Sequence, residues 1–239
     1  MSAPEVGSLA HEEYLEEIEA LQKTEGWRIH QDMERLGWSF YIFQGNYHDL
    51  LKDLHINYAD FFVRFDVRNR AELHAFLKEI MRKFHNFVAS ALMLVDHTRN
   101  LSKKMYRGTQ FEAVLDSEIE KRFKQNPQIQ FVHRLRSYTL HCGLPEPSAV
   151  LSGTMEASLK MSITQLREWD GWTKLARQHL QTCRDDEKIE DIATAYFKSV
   201  SDFHEWFFNN QKKLHEQAFA EANALRQRLV NSKWHSEYT

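Results

Sequence analysis

Apolar residues recur at spacings of three and four over most of the chain, the period of a helix that buries one face. From Ser8 to about Leu54 this stripe carries Leu15, Ile18 and Leu21, then Ile29, Met33, Leu36, Phe40, Phe43, Tyr47, Leu50 and Leu54. Gly26, Gly37 and Gly45 are the points where such a run would kink or divide. Residues 57–66, NYADFFVRFD, are dense in aromatics but have no clear period, so a loop or short helix is expected. Asn69 is placed to cap a second long helix over roughly 70–106, with an apolar stripe from Leu73 to Leu101. A shorter third helix runs from Thr109 or Gln110 to Lys124.

The next boundaries are signposted most clearly. Asn126-Pro127 combines a capping side chain with a proline at the first helical position. The fourth helix then runs to about Cys142, where Gly143 suits a left-handed capping residue and Pro145 and Pro147 prevent continuation. Over 148–163 the period changes to two: Leu151, Met155, Ala157, Leu159, Met161 and Ile163 alternate with Ser, Glu and Lys. A small β-hairpin turning at Gly153-Thr154 is expected there. Ser162 and Gln165 have capping-box spacing and open a fifth helix, 164–183, buried through Leu166, Trp169, Trp172, Leu175, Ala176 and Leu180. After the polar CRDDEK, a sixth helix spans about 187–231. The fold class expected is therefore all-α: a bundle of about five to six helices, two or three of them long, with a hairpin around 148–163. It is read as a single helical domain, 1–239, with subregions 1–147 and 148–239 and no long linker between them.

Composition agrees with this. Only 8 Gly and 4 Pro occur in 239 residues, which leaves little room for a turn-rich β fold. No basic start precedes an apolar run at the N-terminus and no 18-residue apolar window exists, so neither a signal peptide nor a membrane span is expected. Cys142 and Cys183 form no CxxC and read as reduced thiols in the cytoplasm. The net charge of −3 is uneven: residues 1–25 hold seven Glu and one Lys. Such an acidic first helix is a solvated face, or a cover for a basic surface.

Thirteen histidines call for a metal test. His74 with His85, and His204 with His215, are each eleven apart, about three helical turns, too far to share an ion. No Glu-x-x-His and no His-Glu-x-x-His occurs, so neither a metal site nor a cofactor is expected. Phosphate-cradling glycine motifs and the Gly-x-Ser-x-Gly elbow are likewise missing. The basic clusters at 97–107 and 121–124 read first as solvated helix ends.

Chemistry concentrates in FVHRLRSYTLHCGLP, 131–145. Phe131, Leu135 and Leu140 can face a core. His133, Arg134, Arg136, Ser137 and His141 crowd into under three turns, and Arg134, Tyr138 and His141 share one stripe. Arg136 and His141, five apart, differ by about 140° around the axis. His141 lies in the last turn, at the carbonyl end that favours a cation, a position suited to a general acid.

Arg-x4-His, set late on a helix of an all-α protein, resembles the motif of the HEPN superfamily, and LRSYTLHCGLP is similar to the LRNYxxHxGLP of bacterial HEPN-like proteins. The resemblance implies a HEPN-like bundle acting as a metal-independent endoribonuclease or an RNA-binding protein in stress or phage defence. It implies no cofactor, a homodimer with facing motifs, and a cognate antitoxin or other protein partner. On this match Arg136 and His141 are the catalytic pair, with Ser137 where Asn, Asp or His is usual; Arg134, Tyr138 and His133 would contact substrate. Arg134 also satisfies the motif's longer spacing. The family includes members without activity, so the alternative is a non-enzymatic helical dimerisation or interaction protein that uses the same residues structurally.

Overall fold

The computed structural model describes residues 9–55, 70–151 and 157–231. They form nine α-helices and a three-stranded antiparallel sheet, so the mostly helical architecture and the small hairpin are both present. The helices are α1 (Leu9–Lys23), α2 (Glu25–Leu54), α3 (Arg70–Tyr106), α4 (Gln110–Ile119), α5 (Pro127–His141), α6 (Ile163–Arg167), α7 (Lys174–Thr182), α8 (Ile189–Leu214) and α9 (Glu216–Asn231). The strands are β1 (Pro147–Leu151), β2 (Ala157–Ser162) and β3 (Asp186–Lys188). Three expectations, the Asn69 cap, the 57–66 segment and the Gly153-Thr154 turn, lie outside the described residues.

Where boundaries moved, side chains moved them. The first run divides at Thr24, not at a glycine. Its hydroxyl donates to the Leu21 carbonyl at 2.7 Å and accepts the Trp27 amide at 3.2 Å, ending α1 and capping α2 together. Gly37 and Gly45 sit inside unbroken helix. The expected third helix is α4 followed by a π-helical turn, Glu120–Lys124. The expected fifth helix is two short ones, because Trp169 folds its ring against Gly171, leaving no space for a Cβ there. Thr173 then restarts the helix by accepting the Ala176 amide. Ser162 caps α6, but only half of the capping box forms: Gln165 reaches instead to the Glu146 amide at 2.8 Å. The sixth run divides at His215, and its first residues are β3, whose three residues are too few to show a period of two.

Contacts divide the chain into two compact units, Met1–Gly37 with His204–Thr239, and Trp38–Phe203. In the first, α1 packs on α9 around Leu21, Ala222 and Leu229, with Tyr14, Ile18, Trp27 and Leu225 against them. The second is centred on aromatic rings. Phe43 of α2 stacks on Phe87 of α3 at 5.3 Å and on Phe197 of α8 at 5.4 Å, with Tyr196 edge-on at 6.3 Å. The expected 147/148 division falls inside this unit, where β1 pairs with β2 from Pro147↔Met161 to Leu151↔Ala157. β2 in turn pairs with β3, from Lys160↔Lys188 to Ser162↔Asp186.

Candidate functional site

Helix α5 starts and stops as its ends dictate. The Asn126 side chain accepts the Gln128 and Ile129 amides at 3.1 and 3.3 Å. At the far end Cys142 and Gly143 return their amides to the Tyr138 carbonyl, and Gly143 has φ 125°, where a glycine is favoured. One face of α5 is core: Ile129, Phe131, Val132, Leu135 and Tyr138 are buried.

The polar residues then separate into two sets. Arg134 belongs to the fold. Its guanidinium donates twice to the Gly171 carbonyl, at 3.2 and 2.5 Å, and lies 5.6 Å from the Trp169 ring centre. Tyr138 packs edge-on to Trp169 and parallel to Trp172, whose indole N–H donates to the Leu166 carbonyl at 2.6 Å. The two residues thus hold the turn between α6 and α7 against α5 through both its carbonyl and its aromatic rings. Nothing local in Glu168–Thr173 announces this role; the two tryptophans three apart were its one visible sign.

His133 is also committed. Its Nε2 shares a 3.0 Å hydrogen bond with the hydroxyl of the fully buried Tyr196. Burial, reinforced by Arg99 and opposed by Asp96, lowers its pKa to about 4. Buried His204 on α8 is likewise lowered to about 4. An unfolded histidine takes up a proton near pH 6.5 while these rings stay neutral, so protons favour the unfolded chain between those values. Stability is therefore fully present above about pH 6.5 and falls as the pH drops toward 4. Each ring accounts for about 1–3 kcal/mol, the lower part of the range applying to His133, whose edge reaches solvent. Denaturant unfolding at pH 7 and pH 4.5 measures this, and His133→Gln should flatten the difference by less than half.

Arg136 and His141 are the other set. Both are exposed, Ser137 beside them is half-buried, and the side chains of all three make no hydrogen bond or ion pair among the described residues. The 140° offset expected from their spacing applies, since α5 runs unbroken through both. Two apolar side chains accompany them: Leu140 is 60% exposed and Leu144 48%. Three residues beyond His141 a groove of about 380 Å³ opens between α3 and the approach to β1, walled by Leu77, Met81, Leu144 and Pro145, with Lys78 and Glu146 in its lining.

The basic clusters are largely occupied. His97 meets Ser39 at 2.6 Å, Arg99 pairs with Asp96, Arg122 with Glu118 and Lys124 with Glu120. One pair was not foreseen: His179 on α7 and Cys183, the residue just past its end, approach to 3.5 Å. Burial raises the thiol pKa and lowers that of the imidazole, so both groups are held neutral and the thiol is no activated nucleophile. Compared with protein-family models, with curated proteins and with solved structures, this chain matches none.

Proposed function

We propose that the exposed end of α5 engages RNA and cleaves it without a metal ion. The observation that carries this reading is selective commitment. Within one short helix Arg134, His133 and Tyr138 are spent on packing, while Arg136, Ser137 and His141 are left in solvent with no partner among the described residues. A surface cation that forms no ion pair is available to a phosphate, and packing on both sides of α5 holds the helix that presents it.

In the reaction the ribose 2′-oxygen bonds to the adjacent phosphorus as the bond to the 5′-oxygen breaks, leaving a cyclic phosphate and a 5′-hydroxyl. His141 takes the proton from the 2′-hydroxyl, and the imidazolium then protonates the departing 5′-oxygen. Arg136 neutralises the charge that grows on the phosphoryl oxygens, and Ser137 donates a positioning hydrogen bond. Because one helix holds Arg136 and His141 about 140° apart, a second copy brings the Arg136 of one chain toward the His141 of the other. An antitoxin-like partner would act by covering this end of α5.

Purified protein should cut single-stranded RNA in the presence of EDTA. Arg136→Ala and His141→Ala should each reduce the rate at least a hundredfold while leaving the melting temperature unchanged, since both side chains are exposed. Cleavage that survives in both variants defeats the proposal. A second reading, a non-enzymatic interaction protein, is favoured by the exposed Leu140 and Leu144 beside the same residues. It requires that Leu140→Asp abolish association and that no form of the protein turn over RNA.

A further inference from the structure

Helix α2 carries an outward apolar face that is exposed among the described residues. Trp38 is 63% exposed, Tyr41 75% and Ile42 48%, and Gly45 continues the same stripe at helical spacing. The opposite side of the helix holds Phe43, Tyr47 and Leu50 in the core, so α2 has two apolar faces over these turns, separated by Ser39 and Asn46 on one flank and Gln44 on the other. No charged side chain occurs from Trp38 to Tyr47. A helix of that kind is normally covered on both sides.

Gly45 supplies an independent observation. It lies inside regular helix and does not take a positive φ, and a Cβ built on it meets nothing within 4 Å. Packing among the described residues therefore gives no reason for a glycine where alanine would favour the helix. A missing side chain on an exposed face makes a shallow hole, and Trp38, two turns earlier on that face, is a protruding knob.

We infer that this stripe is a self-complementary contact by which two copies of the chain pair through antiparallel α2 helices. A two-fold axis crossing α2 between Tyr41 and Ile42 sets each Trp38 over the Gly45 of the other copy, because the two positions lie equally far from that axis. Tyr41 and Ile42 meet their counterparts at the centre. The glycine lets the helices approach closely enough for the indole to lie flat on the backbone. From their exposure the two aromatic side chains remove roughly 300 Å² per copy from water. That is a substantial share of the ~800 Å² per partner of a standard interface. Knob and hole on the same face at matched spacing favour a second copy over an unrelated partner, which would need only one of them. The contact does not depend on RNA cleavage, and its test is separate from that of the α5 residues.

Light scattering coupled to size-exclusion chromatography tests it with the full chain. The wild type should run as a dimer at tens of micromolar, and Trp38→Asp as a monomer. Gly45→Leu should raise the dissociation constant at least tenfold while the helix content and melting temperature of the diluted protein hold or rise. Moving the knob to the other position, Trp38→Ala with Gly45→Trp, should restore dimerisation. A monomeric wild type overturns the inference, as does a Trp38→Asp variant that remains a dimer, or a Gly45→Leu variant that pairs as tightly as the parent.

Discussion

Phe43→Ala should lower the unfolding free energy by about 3–5 kcal/mol, the largest effect of any single truncation expected in this protein. Phe43 is fully buried. Its ring touches α3 through Phe87 and α8 through both Tyr196 and Phe197, so removing it takes a wall from two neighbouring helices at once. Tyr47 cannot swing into the space. It is stacked on Phe197 at 3.8 Å and its hydroxyl donates to Thr194 Oγ1 at 3.1 Å. The void therefore persists, and the cavity cost adds to the lost transfer energy. Urea unfolding followed by far-UV circular dichroism measures the change, and a loss below about 1 kcal/mol would move the centre of the core elsewhere.

Gly26→Val should cost on the order of 3 kcal/mol, although valine at this helical position replaces the poorer helix former. A Cβ on Gly26 would stand 2.0 Å from the Ala218 carbonyl oxygen and 2.6 Å from its carbon. Those are backbone atoms of α9 and cannot turn aside, so the helix must retreat and uncover the cluster around Leu21, Ala222 and Leu229. The contrast is Gly37→Ala, where a Cβ meets nothing and a gain of about 0.5–1 kcal/mol is expected. Hydrogen exchange should rise in α1 and α9 of the Gly26 variant. If Gly26→Val and Gly37→Ala shift stability equally, close packing at Gly26 is not what holds these helices.

The glycines also show how differently the two levels of information behave. On the chain, Gly26, Gly37 and Gly45 look alike, three possible kinks in one long helical pattern. None of them breaks the helix. The break falls at Thr24, whose hydroxyl competes for backbone partners, and Gly26 is a contact residue whose reason lies some 190 positions away in Ala218. Trp169 and Trp172 were expected on the buried face of one helix; Trp172 is buried and Trp169 half-buried, but no single helix carries them. That their turn interrupts the helix follows from Gly171 and from the Arg134 and Tyr138 side chains that clamp it.

The same division runs through FVHRLRSYTLHCGLP. Its start at Asn126-Pro127 and its end at Gly143 were determined by the sequence alone, because caps and stops act through neighbours in the chain and their hydrogen bonds are local. So were the helical stripes and the alternation of β2, since period is a local property. Which of two arginines is structural and which is displayed was not. Arg134 and Arg136 have the same chemistry and stand about 200° apart on one helix, so only the elements packed around α5 distinguish them. The turn between α6 and α7 claims Arg134, α8 claims His133 through Tyr196, and neither reaches Arg136 or His141. Tertiary packing decided that, because a side chain's role depends on what arrives opposite it from distant parts of the chain.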